Sequence, residues 1–129
     1  MRNGGESGAR RALAEKVAEY IDLHFSEKIT LAALREAFHF NENYISYTFK
    51  EFTGTGVNCY IMKKRMEKAC ALLNGTALSV KEVAEATGYA DALYFERVFR
   101  KYAGVPPTEY RRRGENPSVF DAFTRQFYR

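Results

Sequence analysis

The sequence contains two copies of one helical pattern, and this internal repeat limits the possible fold more than any other feature. Four positions match at an offset of fifty: Tyr44 with Tyr94, Phe49 with Phe99, Lys50 with Arg100 and Gly54 with Gly104. Upstream the offset is forty-nine, because Thr30 aligns with Ser79 and Phe40 with Tyr89. The second copy therefore carries one extra residue, Ala90. The alternative is that any two amphipathic helical hairpins of similar length look alike.

The second copy has the order of local signals that is typical of a helix-turn-helix. Ser79 followed by Glu82 is a capping-box arrangement, and Gly88 supplies a turn. Asp91 is placed to cap a second helix, which Gly104 ends. The residues predicted to face inward are apolar or aromatic: Val80, Val83, Ala84, Phe95, Val98, Phe99 and Tyr102.

The first copy repeats this order with weaker signals. Thr30 and Asn41 are plausible caps for two successive helices, and Gly54 can end the second one. The predicted inward residues again recur at helical spacing: Leu31, Leu34, Phe38, Ile45, Thr48, Phe49 and Phe52. The sequence thus predicts a second helix-turn-helix over residues 30–54.

Together these patterns predict an all-α fold of about seven helices, with two helix-turn-helix subdomains joined by a long linker helix. We expect residues 1–8 to be a linker or a cloning remnant, 9–56 the first subdomain, 57–74 the linker helix and 75–113 the second subdomain. An amphipathic first helix is predicted from Ala9 to Phe25, and Pro106-Pro107 should begin a last short helix. Residues 114–129 form a C-terminal tail that could be helical. Its apolar stripe, from Ser118 to Arg129, either folds back on the domain or contacts another chain.

Composition excludes several classes of protein. Apolar residues make up 46% of the 129 residues, enough for a packed core. No apolar run approaches the roughly 20 residues that span a bilayer, and the N-terminus lacks a secretory signal. Cys59 and Cys70 lie too far apart on one helix to form a disulfide, which fits a reducing cytoplasm. The net charge of +4 permits nucleic-acid binding without requiring it.

An enzymatic role is not indicated. His24 and His39 are the only histidines, and both lie on or beside apolar stripes. No nucleophile–base pair, metal-ligand spacing or phosphate loop is recognisable, so no cofactor or metal is expected.

From Ala9 to Arg113 the chain resembles the DNA-binding domain of the AraC/XylS family of bacterial transcription regulators. The residues that carry the resemblance include Val83-Ala84, Gly88-Tyr89, Asp91, Tyr94-Phe95, Val98-Phe99, Gly104, Pro107 and Tyr110-Arg111, with Tyr60-Ile61, Arg65, Ala69 and Leu72-Leu73 in the linker helix. The resemblance implies sequence-specific binding of double-stranded DNA and regulation of transcription, mostly activation through RNA polymerase. Most members of the family carry a separate effector or receiver domain, so the resemblance implies either the DNA-binding part of a larger regulator or one of the small stand-alone members. The first recognition helix is most similar to that of regulators fused to receiver domains.

In the first copy, the helix of residues 42–53 should place its outward face in a major groove. That face comprises Asn43, Ser46, Tyr47 and Lys50. Asn43 can pair with adenine, Tyr47 can contact a phosphate or a thymine methyl, and Lys50 should contact phosphate. The family positions that read bases match Asn43, Ser46 and Tyr47.

In the second copy, the helix of residues 92–103 presents Leu93, Glu96, Arg97 and Arg100. Arg97 is the strongest candidate for base reading, because arginine to guanine is the commonest specific contact. Leu93 can meet a thymine methyl, whereas Glu96 repels phosphates yet can accept from cytosine. We expect this helix to read fewer bases than the first, or to read them less stringently.

The linker helix should hold the two readers about one DNA turn apart, roughly 34 Å. If that distance does not match straight DNA, the duplex must bend. Arg65 matches a family arginine and is predicted to be a buried structural residue paired with a carboxylate.

Two departures put the first hairpin in question. Arg35 stands where the family usually has alanine, and His39 stands where a turn glycine is usual; histidine can adopt the left-handed conformation there, at a cost. Separately, the modest charge, Glu96 on a reading face and the apolar tail leave an alternative: a helical protein-interaction module that does not bind DNA.

Overall fold

The computed structural model describes residues 3–114, with side chains from residue 8 onward. This part of the chain is all-helical, as the sequence predicted, with seven helices and no strand. The helices are α1 (Asn3–His24), α2 (Leu31–Phe38), α3 (Glu42–Thr53), α4 (Val57–Gly75), α5 (Val80–Ala86), α6 (Ala92–Ala103) and α7 (Pro107–Arg113). The chain divides into two compact units, Met1–Ile61 and Met62–Arg129.

The first unit packs α1, α2 and α3 together with the beginning of α4. Its core consists of eight buried apolar residues: Leu13, Val17, Ile21, Leu34, Ile45, Phe49, Val57 and Ile61. α1 makes more extensive contact with α3 than α2 does. Leu13, Val17 and Ile21 lie four residues apart, which places their side chains on one face of α1 in the first core. The helix that is predicted to read DNA is thus supported by α1 as well as by α2.

The second unit packs α5, α6 and α7 against the remainder of α4. Its core contains a series of aromatic rings, and Phe99 is in the middle of it. The Phe99 ring lies edge-on to Tyr110 of α7 at 5.4 Å and beside Phe95 at 5.8 Å. Such contacts add about 0.5–1.5 kcal/mol each to the free energy of burial. The contact between Phe99 and Tyr110 holds α6 against α7.

The predicted helix caps are confirmed at all four positions. The Thr30 hydroxyl accepts from the Ala33 N–H at 3.0 Å, and Ser79 and Glu82 form a complete capping box. The Asn41 and Asp91 side chains each accept from two backbone N–H groups at the start of α3 and α6. Each cap satisfies donors that an isolated helix would leave unpaired, which is worth about 1 kcal/mol.

The turn of the first hairpin contains the departure that the sequence indicated. His39 has φ 62° and ψ 38° and is the only non-glycine residue between 3 and 114 with positive φ. Its counterpart in the second hairpin is Gly88, with φ 102°. Both turns therefore pass through positive φ at this position, although only the second has a glycine, which adopts it without strain.

Arg35 does not disturb the first hairpin, because its side chain is directed to solvent. Its Nη1 donates to Glu42 Oε2 at 2.5 Å, and its Nη2 lies 3.6 Å from Glu36. The counterpart Ala84 is buried. The two hairpins thus share a backbone pattern but differ in packing at this position.

Several boundaries differ from the predictions. α1 begins at Asn3, so the predicted linker of residues 1–8 falls partly within a helix, and α1 ends one residue before Phe25. The boundary between the compact units lies inside α4, after Ile61, so the predicted linker helix contributes to both cores. The predicted tail stripe, Ser118 to Arg129, lies outside the described residues.

Cys59 is half-buried, Cys70 is buried, and both are free thiols. Within residues 3–114, no helix has the length and apolar character needed to cross a bilayer. The same region contains no group of three or more His, Cys, Asp or Glu side chains placed to hold a metal ion.

Candidate nucleic-acid interface

α3 has one buried face and one open face. Ile45, Thr48 and Phe49 are fully buried against the first core. Asn41 caps the helix by accepting from the Asn43 N–H at 2.7 Å, and Gly54 ends it with φ 81°. These contacts fix both the ends and the rotation of α3 about its axis, so its outward face is set by the fold.

The outward face of α3 brings the four predicted side chains together. Asn43 and Lys50 are exposed, Ser46 is half-buried, and Tyr47 has 63% of its surface exposed. All four line one shallow concave surface, and Glu51 lies at its edge. We call this surface, formed by Asn43, Ser46, Tyr47, Lys50 and Glu51, the α3 surface.

α6 is arranged in the same way. Asp91 accepts from the Leu93 and Tyr94 N–H groups at 2.9 and 3.2 Å, and Gly104 ends the helix with φ 84°. Phe95 and Phe99 are fully buried on the inner side. The outward side presents the four predicted residues, all of them exposed: Leu93, Glu96, Arg97 and Arg100.

The two outward faces use the same four helical positions. Asn43, Ser46, Tyr47 and Lys50 correspond to Leu93, Glu96, Arg97 and Arg100 at the offset of fifty. None of these eight side chains makes a hydrogen bond or an ion pair with another described residue. An uncommitted polar or cationic side chain on a rigid helix can contact a ligand without first breaking an internal bond. Leu93 is a large apolar residue with 72% of its surface exposed, and it belongs to neither core.

The electrostatic character of the two faces differs. The α6 face carries two arginines, which are permanently charged and can bind guanine or phosphate with two hydrogen bonds, together with one carboxylate. The α3 surface carries the Lys50 ammonium, the Glu51 carboxylate and three neutral polar groups. The three neutral groups suit base-edge reading, whereas the α6 set suits phosphate and guanine contacts.

Two further aromatic residues on these helices were not predicted as part of the surface. Tyr44 and Tyr94 are repeat counterparts, 37% and 53% exposed, at the third residue of α3 and α6. Tyr44 lies 5.3 Å from the Phe40 ring, and Tyr94 lies 6.0 Å from the Tyr89 ring. The repeat marked both positions, but their exposure depends on tertiary packing.

Arg65 is half-buried, and its guanidinium lies 5.1 Å from the centroid of the Tyr89 ring. Burial raises the pKa of the Tyr89 hydroxyl, while the charge of Arg65 and its hydrogen bond oppose that change. The structure thus shows a structural role for Arg65 through an aromatic ring, and the predicted carboxylate partner remains a prediction.

Arginines in α7 also have partners within the fold. Arg111 Nε donates to the Leu73 carbonyl at 3.0 Å, and its Nη2 donates to the Thr76 carbonyl at 3.2 Å. Arg112 and Arg113 both bind Glu109, and their hydrogen bonds lower the pKa of that carboxyl. The basic cluster at residues 111–113 therefore has partners within the protein.

Comparison with known proteins places the chain among DNA-binding regulators. A family model described as a helix-turn-helix domain, of the AraC type, matches residues 34–113. The uncharacterized HTH-type transcriptional regulator YijO of Escherichia coli K12 is 41% identical over 102 residues, which are 79% of this chain and 36% of that protein. The HTH-type transcriptional activator Btr of Bacillus subtilis 168 is 40% identical over 84 residues, 65% of this chain and 16% of that protein. The chain thus spans about a third or less of the length of these curated relatives.

Solved structures show the same fold. The C-terminal domain of AraT, a response regulator from Geobacillus stearothermophilus, superposes with a TM-score of 0.77 at 35% identity, over 81% of this chain and 87% of that one. The DNA-binding domain of AdpA, solved with a target DNA, superposes with a TM-score of 0.73 over 78% of this chain and 90% of that one. Its 23% identity makes it a match of fold alone.

Proposed function

This chain belongs to the AraC/XylS family of DNA-binding transcription regulators, and from that premise we propose that α3 and α6 are its two DNA-reading helices. They would enter successive segments of the major groove of one duplex. The observation that carries the proposal is that the same four positions face outward on both helices, with Ser46 half-buried and the other seven side chains exposed, each set opposite a fully buried face.

We assign different contacts to the two helices. On the α3 surface, Asn43, Ser46 and Tyr47 would read base edges, with Asn43 suited to adenine. Lys50 would bind a phosphate. On α6, Arg97 would bind guanine, Arg100 a phosphate, and Leu93 a thymine methyl. Glu96 would accept a hydrogen bond from the amino group of a cytosine, whereas a nearby phosphate would repel its carboxylate.

The proposed cationic contacts fix the expected salt dependence. Lys50 and Arg100 would each neutralise one phosphate, so about two counterions are released, whereas Arg97 is assigned to a guanine. With a slope of about −0.9 per phosphate, the affinity should fall about twelvefold when the salt concentration rises fourfold. A weaker dependence would mean that fewer of these side chains contact DNA.

The experiment is a selection followed by a titration. A random-sequence duplex library is enriched with the protein, and the selected duplex is titrated by fluorescence anisotropy at about 50 and about 200 mM salt. A footprint of that duplex should protect two major-groove segments. Absence of an enriched sequence, or binding that does not change with salt, would contradict the proposal.

The role in the cell is proposed at a coarser level. The relatives are bacterial transcription regulators, one of them named an activator, and each is much longer than the matched region. We propose that this chain is the DNA-binding part of a larger regulator in a bacterial cytoplasm, with an effector or receiver domain and RNA polymerase as partners. The named relatives are regulators rather than enzymes, which supports a binding role without catalysis.

A further inference from the structure

An ion pair connects α1 to the edge of the α3 surface. Arg10 Nη1 donates to Glu51 Oε1 at 2.9 Å, across a separation of 41 residues in the sequence. Glu51 lines the same concave surface as the side chains proposed to read bases. The pair therefore lies where the first unit would approach the phosphates of DNA.

A carboxylate at that position opposes DNA binding unless its charge is balanced. Two like charges near a protein surface repel by an amount that depends strongly on the nearest counter-charge and on salt. Glu51 has 37% of its side chain exposed, so its charge is only partly screened by water. Because the Arg10 guanidinium lies at hydrogen-bond distance from Glu51, the two charges nearly cancel in the potential that a DNA phosphate would experience.

The surroundings of Arg10 limit the positions that its guanidinium can take. Its side chain is only 26% exposed, and its Cζ lies 5.7 Å from the centroid of the Phe52 ring. Its Nε is buried without a hydrogen-bond partner among the described residues.

We propose that Arg10 is a positioning residue for DNA binding, which acts by neutralising Glu51 and holding its carboxylate at the edge of the α3 surface. The proposal rests on the proposed function, because it requires α3 to face DNA. It gives α1 a part in recognition although α1 itself need not contact a base.

Arg11 offers a matched control. Its Cζ lies 5.1 Å from the centroid of the same Phe52 ring, but it makes no ion pair with a described residue. Arg11→Ala removes the same charge and a similar ring contact without exposing Glu51. The comparison thus separates release of the carboxylate from a general loss of positive charge.

The test is a double-mutant cycle on the selected duplex. Arg10→Ala should weaken binding about three- to tenfold at about 50 mM salt, and Arg11→Ala less than about twofold. Glu51→Ala should bind at least as tightly as the unmodified protein. The double variant Arg10→Ala/Glu51→Ala should bind the duplex within about twofold of the affinity of the unmodified protein, and so should Arg10→Lys.

Three results would overturn the proposal. If the double variant binds as weakly as Arg10→Ala, Arg10 contacts DNA directly. If Arg10→Ala and Arg11→Ala lose equal affinity, only net charge matters. If the Arg10→Ala loss does not shrink with added salt and its melting temperature falls, the pair is merely structural. Failure of the proposed function looks different, because the unmodified protein would then show no salt-dependent binding at all.

Discussion

His39 allows a quantitative test of the first hairpin. A non-glycine residue in the left-handed conformation costs about 1–2 kcal/mol, and His39 occupies that conformation at φ 62° and ψ 38°. Its imidazole is exposed and makes no hydrogen bond with a described residue. His39→Gly should therefore remove the steric cost and lose no side-chain contact.

The expected gain is the difference between two opposing terms. Glycine has no Cβ and so removes the steric contact between Cβ and the following carbonyl. Its greater chain entropy in the unfolded state, however, lowers stability by about 0.5–1 kcal/mol. We expect His39→Gly to raise the free energy of unfolding by about 0.5–1 kcal/mol. That corresponds to an increase of about 2–5 °C in melting temperature for a domain of this size.

Urea unfolding followed by far-UV circular dichroism measures this change. His39→Ala is the control, because alanine retains Cβ and the strain but removes the ring, so no gain is expected. The reciprocal substitution at the counterpart position, Gly88→Ala, should lower stability by about 1–2 kcal/mol, since φ there is 102°. The reasoning is refuted if His39→Gly and His39→Ala change the free energy of unfolding equally.

Three further predictions concern DNA binding and pH. Arg97→Ala should cost about 1–3 kcal/mol and relax the preference at one base position of the selected duplex; an unchanged preference would make α6 a clamp only. Lys50→Ala should weaken binding to all sequences alike and reduce the salt slope by about 1, whereas Lys16→Ala on α1 should leave the slope unchanged. Because burial raises the pKa of Tyr89, its hydroxyl stabilises the fold below about pH 10 and this contribution is lost as the pH rises through the folded-state pKa. Urea titrations should show a smaller alkaline loss of stability for Tyr89→Phe, and an equal loss would contradict that assignment.

Features of the fold that depend on nearby residues were predictable from sequence. The caps Thr30, Asn41, Ser79 and Asp91 contact backbone groups two or three residues away, so their local pattern was sufficient. The repeat also identified the outward positions of α3 and α6, because a helix with one apolar face has only one opposite face. The family resemblance is confirmed, and it favours DNA binding over a protein-interaction module.

Contacts between distant segments were not predictable in the same way. To predict the Arg10–Glu51 pair, one must know that α1 packs on α3. The sequence alone indicated only that Arg10 lies near the start of a helix. The contact between Arg65 and the Tyr89 ring was not predicted, and the carboxylate partner that the sequence suggested for Arg65 stays a prediction. The early start of α1 was missed because Gly4 and Gly5 are poor helix formers.

The hydrogen bonds that Arg111 donates also set the minimum length of a fragment that can fold independently. The carbonyls of Leu73 and Thr76, at and just beyond the end of α4, accept from its guanidinium. A truncation before residue 107 would remove those donors and uncover the Phe99 ring where Tyr110 packs. Limited proteolysis should accordingly spare the chain through α7, and minimal DNA-binding fragments of this protein should be designed to end after Arg111.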